Sequence, residues 1–250
     1  MAFPPRPEID VAQTPRAAAQ ACAARIVSAA RSGLGARGKF SLALSGGSTP
    51  KATYEVLAAD HARDVDWTQV HFFIGDERMV PYDDPRSNFG AARAAWLGAL
   101  GLPESCLHPM PIAQDGDAGA RAYERELRTH APEGLDFVML GLGDDGHTAS
   151  LFPGRVEALP PARWVVAAQA PPTSPIERRL TLTFSAFEAA REVVFQVCGA
   201  SKSRLVADIL AGRGGFPAGK VRARESLRWI LDAAAAEQWL AERPSRPAVS

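Results

Sequence analysis

Short apolar runs rich in strand-forming residues recur along this chain, and helix-like segments separate several of them. The runs read FSLALS, VHFFIG, LDFVMLGLG, WVVAAQ, RLTLTF and EVVFQVCG, with a further candidate in SLRWIL. Most of these runs are too apolar for a sheet with one solvent-exposed face. Strands that alternate with helices favour βαβ units. We therefore predict an α/β fold with a mostly parallel, Rossmann-like open sheet and helices on both faces. The later runs follow one another closely, which predicts some antiparallel strands toward the C-terminal half.

Length and composition exclude several classes of protein. The 250 residues contain no internal repeat and no long low-complexity linker, so we predict a single domain over residues 1–250 with a loose Pro-rich segment over 1–12. Basic and acidic residues number 28 each, which leaves no overall field to attract nucleic acid or an anionic membrane. The chain shows no apolar run of roughly 20 residues and no signal-peptide pattern. We expect a cytoplasmic monomer or weak homodimer.

The first helix is predicted from the residues at its two ends. Thr14 suits an N-cap and Pro15 the first helical position, and an Ala-rich segment follows to about Ser32. Gly33 and Gly35 are predicted to end this helix.

Three cysteines are scattered along the chain without CxxC spacing, at Cys22, Cys106 and Cys198. They lie within apolar periodic segments, which is typical of small buried thiols in a reducing compartment. We assign them no chemical role.

The run that ends at Leu44 leads into the turn SGGSTP. Its two glycines permit backbone conformations closed to other residues, and Ser48 or Thr49 can cap a helix whose first residue is Pro50. Free N–H groups at a helix N-terminus are a natural anion site, although a tight turn whose caps serve only the helix has the same pattern. We favour a site for phosphate or carboxylate. Its predicted residues are Ser45, Gly46, Gly47, Ser48 and Thr49.

The second strand end carries three charges, Asp76, Glu77 and Arg78. A solvated turn with a surface ion pair is one interpretation. The other is that Arg78 emerges at the same sheet edge as the first turn and holds phosphate through two parallel hydrogen bonds. Ser87 and Asn88 suit the cap of the next helix, with Asn88 as a hydroxyl-binding group.

The third loop, GLGDDGHTASLFPG, contains a GxGxxG pattern at Gly141, Gly143 and Gly146. A dinucleotide-binding turn is rejected, because the unit is not the first strand and no acidic residue follows about 20 positions later. A neutral imidazole is a base near pH 7, and a neighbouring carboxylate can fix its tautomer. His147 and Asp145 therefore form a candidate catalytic pair, while a cap of the next segment is the alternative for His147.

The other histidines are His61, His71, His108 and His130. We expect them to be isolated and structural or solvated. Their spacing does not suggest metal binding, and no metal site is predicted.

Basic residues lie near strand ends at two further places. Arg178 and Arg179 begin the RLTLTF strand, and Lys202 lies in the first turn of a helix after EVVFQVCG. A cation at a helix N-terminus opposes the helix dipole unless an anion shares the site. For either position alone, a solvated surface is the simpler interpretation.

The motifs LALSGGSTP, GDERMVP with SNFG, GLGDDGHTASLFPG, RLTLTF and GASKSRLV occur in this order. Together they resemble the 6-phosphogluconolactonase family, which is related in fold to glucosamine-6-phosphate isomerase/deaminase, and the resemblance runs from about residue 10 to 240. It implies hydrolysis of 6-phospho-D-glucono-1,5-lactone to 6-phosphogluconate in the oxidative pentose phosphate pathway, without a cofactor. The implied partner is this small sugar phosphate lactone.

The resemblance also implies roles for individual residues. His147 matches the general base and Asp145 its orienting partner. No GxSxG elbow occurs, so direct attack of water on C1 is expected instead of a covalent serine route. The residues implied or inferred to contact substrate or phosphate are Ser45, Gly46, Gly47, Ser48, Thr49, Asp76, Arg78, Asn88, Arg179 and Lys202.

Two other functions remain open at this point. An aldose-ketose isomerase/deaminase of the same fold has a glutamate five residues beyond the loop histidine, where this chain has Phe152. A non-catalytic sugar-phosphate-binding protein would retain the anion site without needing the pair of Asp145 and His147.

Overall fold

In the computed structural model, residues 7–112, 115–156, 159–160 and 162–243 are described, and they form two sheets with helices around them. The strands are β1 (Glu8–Ala12), β2 (Phe40–Leu44), β3 (Val70–Ile74), β4 (Asp76–Arg78), β5 (Leu107–His108), β6 (Phe137–Leu140), β7 (Val165–Gln169), β8 (Arg178–Leu182), β9 (Glu192–Val197) and β10 (Ser226–Asp232). The helices are α1 (Pro15–Arg37), α2 (Ser48–Asp60), α3 (Asn88–Ala95), α4 (Gly116–His130), α5 (Phe184–Ala189), α6 (Ser203–Leu210), α7 (Pro217–Lys220) and α8 (Ala233–Ala241).

The larger sheet has seven strands in the order β1-β10-β9-β6-β2-β3-β5, and every pair of neighbours is parallel. Strands β2, β6 and β9 are buried along their whole length. A strand buried on both faces has no need of polar alternation, which explains the continuous apolar runs. The predicted α/β class with a mostly parallel sheet is confirmed.

A second, antiparallel sheet has the order β4-β8-β7. Two of its strands lie in the C-terminal half, as predicted, and β4 comes from the N-terminal half. The chain leaves the parallel sheet at Gly75, whose N–H donates to Leu44 O at 2.8 Å and whose carbonyl accepts from Leu182 N at 2.8 Å. This crossing places Arg78 directly opposite Arg179 in the register of β4 and β8.

Helix α1 is longer than the sequence predicted. Its N-cap is confirmed, because Thr14 Oγ1 accepts from Ala17 N at 3.1 Å. The predicted end near Ser32 is wrong: the helix continues to Arg37 and ends at Gly38, which has the left-handed φ of 67°. Gly33 serves packing instead, since a Cβ there would lie 2.6 Å from the ring of Phe40.

The predicted loose segment over 1–12 is also wrong for its last residues. Glu8–Ala12 forms the edge strand β1 and pairs with β10. Arg228 on β10 donates to the carboxylates of both Glu8 and Asp10. These contacts hold the N-terminal segment against the sheet.

None of the helices in the described ranges combines the length and the apolar character that crossing a membrane requires.

Candidate active site

A cleft of about 440 Å³ lies beyond the carboxyl ends of the parallel strands, where ligands bind in open α/β sheets. The structure brings eight of the twelve predicted site residues into its wall: Ser45, Gly46, Asp76, Arg78, Asn88, Asp145, His147 and Arg179. The other four, Gly47, Ser48, Thr49 and Lys202, line an adjoining pocket of about 200 Å³. The two spaces share Gly46, Gly141 and Leu142 in their walls.

His147 and Asp145 are hydrogen-bonded to each other in the loop after β6. His147 Nδ1 lies 2.5 Å from Asp145 Oδ1, and the backbone N–H of His147 donates to the same oxygen at 3.0 Å. An ionised carboxylate only accepts, so Nδ1 carries the proton and Nε2 of a neutral ring is left to act as a base. Burial raises the pKa of Asp145, but the two hydrogen bonds from His147 and then its charge act against burial, and the pKa lies below its usual range.

The glycines of this loop help to determine the position of the His147 imidazole. A Cβ at Gly143 would lie 2.1 Å from the ring of His147, so only glycine lets the ring rest against the backbone. Two residues beyond the ring, Ala149 has a φ of 49°, in the left-handed region that L side chains rarely adopt. Strain of this kind persists where the surroundings hold a loop in one shape. The GxGxxG pattern therefore shapes the histidine loop.

Phe152 lies beside the imidazole. The ring centroids of His147 and Phe152 are 4.7 Å apart, with an angle of 42° between the ring planes. The position five residues after the histidine is therefore occupied by an apolar ring, which can neither donate nor accept a proton.

The first turn differs in detail from the prediction. Helix α2 begins at Ser48, two residues before Pro50, and its N-cap is Gly47 with a φ of 105°. No side chain caps this helix, so Ser48 and Thr49 do not have the predicted capping role. The glycine conformation lets the helix start directly after the turn. The first residues of α2, whose N–H groups have no partner within the helix, line the adjoining pocket.

Two residues outside the turn hold it in shape. The hydroxyl of Tyr54 accepts from Ser45 N at 2.9 Å and donates to Ser45 O at 2.7 Å. Asn88 packs against Gly46, where a Cβ would lie 1.9 Å from Asn88 Oδ1. Sequence reasoning missed Tyr54, although a tyrosine in the second turn of the helix after such a loop is a signal for it.

Glu77 is buried and connects the second loop to helix α3. Its carboxylate accepts from the backbone N–H groups of Arg78, Asn88 and Phe89, each at 2.8 Å, and from Ser87 Oγ at 2.9 Å. Burial raises the pKa of Glu77 despite these four bonds. The solvated-turn interpretation is therefore wrong for this residue, which positions the start of α3.

Asp76 also lies in the cleft wall with its carboxylate engaged. Its Oδ2 accepts from Ser150 Oγ at 2.6 Å, and Asn88 Nδ2 donates to its backbone oxygen at 2.6 Å. Ser87 caps α3 as predicted, with Oγ accepting from Gly90 N at 3.0 Å. Asp76 thus joins the second loop to the third through Ser150, and Asn88 supports Asp76 from the start of α3.

Arg78 and Arg179 put two guanidinium groups side by side in the cleft. Arg78 Nη1 donates to Arg86 O at 2.5 Å, and Arg179 Nη2 donates to Ser174 Oγ at 2.9 Å. The Nε atoms of both arginines are buried without a hydrogen-bond partner in the described part of the chain. Burial, and then the charge of Arg78, lower the pKa of Arg179. Such a pair favours an anion between or beside the two groups.

Sequence reasoning missed Arg86, which also lines the cleft and pairs with Asp84 at 2.6 Å. Its place in the DDPRSN loop, just before the cap of α3, is the signal that could have found it.

Lys202 ends a short 3-10 turn, Ala200–Lys202, and directly precedes α6. Its ammonium group pairs with the exposed carboxylate of Asp144. The lysine therefore flanks the adjoining pocket beside the start of α2, and it is one residue outside the helix predicted to contain it.

The fold and the cleft together are those of an α/β protein with a small-molecule site at the carboxyl ends of its parallel strands. The family model described as "Glucosamine-6-phosphate isomerases/6-phosphogluconolactonase" matches residues 13–229. This chain belongs to that family, and the resemblance noted in the sequence is confirmed.

Proteins and structures with the lactonase name are similar over most of the chain. The 6-phosphogluconolactonase of Synechocystis is 42% identical over 212 residues, covering 80% of this chain and 85% of that protein. The one from Mycobacterium tuberculosis is 38% identical over 225 residues, covering 85% and 90%. The structure of 6-phosphogluconolactonase from Trypanosoma cruzi has a TM-score of 0.81 and 30% identity, covering 95% of this chain and 97% of that one.

Proposed function

We propose that this protein hydrolyses 6-phospho-D-glucono-1,5-lactone to 6-phospho-D-gluconate, a step of the oxidative pentose phosphate pathway, with His147 as the general base. The observation that carries the proposal is the hydrogen-bonded pair of His147 and Asp145 in a cleft that also holds Arg78 and Arg179. The lactonase names of the relatives support the same reaction.

In the proposed mechanism, His147 Nε2 takes a proton from water as the water oxygen attacks C1 of the lactone. The bond between C1 and the ring oxygen then breaks, and the proton passes from the imidazolium to that oxygen, so the ring opens without a covalent enzyme intermediate. Asp145 holds the reactive tautomer and stabilises the imidazolium while the proton resides there. A base of this kind contributes about 10²–10⁴-fold to the rate.

We assign the substrate phosphate to Arg78 and Arg179. A single ligand has to present its C1 to His147 and its phosphate to a cationic group, and the arginines share the 440 Å³ cleft with the imidazole. The pocket beside Lys202 and the start of α2 adjoins that cleft without including His147. The hydrogen-bond donors of this second pocket are then available to the hydroxyl groups of the sugar or to the carboxylate of the product.

The family also includes isomerases, and Phe152 favours the lactonase function over theirs. An isomerase/deaminase moves a proton between carbon atoms and needs a further carboxylate near the imidazole. Here the imidazole contacts the ring of Phe152 on one side and hydrogen-bonds Asp145. Hydrolysis by water needs only the base and its partner.

Location and assembly stay predictions: a cytoplasmic protein that is a monomer or a weak homodimer and has no nucleic-acid or membrane partner.

The test is to mix the purified protein with freshly generated 6-phosphogluconolactone and follow acid release above the spontaneous rate. His147→Ala should lower turnover at least about 100-fold, because the variant loses the base, while binding of 6-phosphogluconate stays near the wild-type value. His61→Ala is the matched control, since His61 bonds Asp64 at 2.7 Å outside the cleft. If the wild-type rate equals the spontaneous rate, the protein is a sugar-phosphate-binding protein and not a lactonase. If the rate is unchanged in His147→Ala, His147 is not the general base.

A further inference from the structure

Three histidines that are far apart in sequence meet at the edge of the parallel sheet. His71 lies on β3, His108 on the edge strand β5, and His130 is the last residue of α4. One ring nitrogen from each lies within 4.8 Å of the other two. The expectation that these histidines are isolated is therefore wrong for all three. None of them lines the cleft or the adjoining pocket.

Strand pairing explains why His71 and His108 lie close together. His108 is the register partner of Phe73, and His71 lies two residues before Phe73 on the same strand. Residues two apart on a strand share a face, so His71 and His108 are diagonal neighbours on one side of the sheet. The ring of His130 lies 4.4 Å from that of His71 and 4.5 Å from that of His108, between centroids.

A carboxylate orients the central imidazole. Glu126 Oε1 lies 2.8 Å from His108 Nδ1 and 3.3 Å from His130 Nε2. Because a carboxylate accepts, His108 donates through Nδ1, and its Nε2 presents a lone pair to His71 Nδ1 at 2.9 Å. A histidine that donates one ring N–H to a carboxylate while offering the other nitrogen is the usual arrangement of a metal-ligating imidazole.

Glu126 also supplies a carboxylate beside the imidazoles of His108 and His130, and its negative charge favours a cation at this place.

We propose that His71, His108 and His130 form a binding site for a divalent transition metal ion of the zinc type, oriented by Glu126 and separate from the proposed reaction. Three imidazoles are a ligand set that suits such ions. With zinc–nitrogen distances of about 2.1 Å, tetrahedral ligand nitrogens lie roughly 3.4 Å apart. The nitrogens of His71 and His108, at 2.9 Å, have to open slightly, and the third ring needs only a modest inward shift. His130 can supply it, because it ends a helix and its side chain is 29% exposed. Bound metal would tie β3, β5 and the end of α4 together.

The test uses tag-free protein and Co²⁺ as the probe, because tetrahedral cobalt absorbs visible light, with Zn²⁺ added as competitor. Wild-type protein should bind one Co²⁺ per chain and release it to Zn²⁺. His130→Ala should weaken binding at least about tenfold, since one of three ligands is lost from a partly exposed helix end that does not support the core. His61→Ala and His147→Ala are controls for other histidines and should bind as the wild type does.

A second measurement separates this site from the active site. Zn²⁺ should raise the thermal midpoint of the wild type but not that of His130→Ala, because a ligand of the folded state alone stabilises it. Lactone turnover should be the same with and without a chelator, both in the wild type and in His130→Ala. No cobalt binding by the wild type at large molar excess, equal binding by His130→Ala, or loss of binding in His147→Ala would each overturn the proposal. These readouts do not depend on the lactonase function being correct.

Discussion

At the scale of single residues, the environment of Arg179 depends on β4, the strand that pairs with its own strand β8. Alone in the sequence it is one of many basic residues, but it is only 8% exposed and lies across from Arg78. Two neighbouring like charges, of which Arg179 is buried and Arg78 is half-buried, destabilise each other unless an anion or nearby carboxylates compensate. Asp76 and Glu77 supply part of that compensation, since their charges raise the pKa of Arg179 against burial. A bound phosphate would supply the rest.

Replacing Arg179 by Gln should therefore weaken the phosphorylated lactone specifically. Loss of a charge-assisted hydrogen bond worth about 1.5–3 kcal/mol predicts a rise in KM of roughly 10-fold to 100-fold, with little change for unphosphorylated gluconolactone. Steady-state kinetics on both substrates measure the difference. Arg178→Gln is the matched control, because Arg178 is the exposed neighbour on the same strand.

The same comparison decides between the two anion pockets. If Lys202→Met rather than Arg179→Gln discriminates between the phosphorylated and unphosphorylated lactones, the phosphate lies in the pocket beside α2. Equal effects of Arg179→Gln on both substrates would contradict the assignment to the arginine pair.

At the scale of elements, helix α1 contains two glycines with different environments. A Cβ at Gly33 would lie 2.6 Å from the ring of Phe40, which is buried at the start of β2, whereas a Cβ at Gly35 would meet nothing within 4 Å. Identical residues two positions apart thus have different roles. One permits close contact of helix and sheet, and the other is exposed on the surface.

Alanine substitutions at these two positions should change stability in opposite directions. Gly35→Ala should stabilise the protein by up to about 1 kcal/mol, the difference in helix propensity. Gly33→Ala should destabilise it, because the rigid Phe40 ring has to move in a close-packed core. Urea unfolding of both variants measures the two changes. Stabilisation by Gly33→Ala would show that Phe40 can adjust and that close packing does not require this glycine.

At the scale of the whole molecule, the core decides the chemistry of the thiols. Cys22 and Cys106 are buried and Cys198 is partly buried, in line with the sequence prediction. Burial raises the pKa of Cys22 to about 12 and that of Cys198 to about 11. A buried thiol in this state is a packing group without reactivity.

Cys22 should therefore resist thiol reagents as long as the protein is folded. With a pKa of about 12, a thiolate fraction of only ~10⁻⁴ is present at pH 8, and reagents reach the core only through unfolding. Peptide mass spectrometry after iodoacetamide treatment at pH 8 should find Cys22 unmodified in native protein and fully modified in denaturant. Partly buried Cys198 serves as the internal comparison, and rapid native labelling of Cys22 would contradict its burial.

The sequence by itself determined features that depend on a few neighbouring residues. The strand content, the Thr14 cap and the Ser87 cap follow from local hydrogen bonding and apolar pattern. The contact between Asp145 and His147 could also be predicted, because residues two apart in a glycine-containing turn are close in nearly any conformation of it.

Only the tertiary structure decided what depends on distant segments. The pairing of β4 with β8 placed Arg78 against Arg179, the pairing of β3 with β5 brought His71 to His108, and contact with Phe40 explained Gly33. Register and the distance between helix and sheet result from packing of the whole core, to which residues far apart in the chain contribute together. No short stretch of sequence carries that information, so the histidine cluster and the arginine pair could be identified only from the tertiary structure.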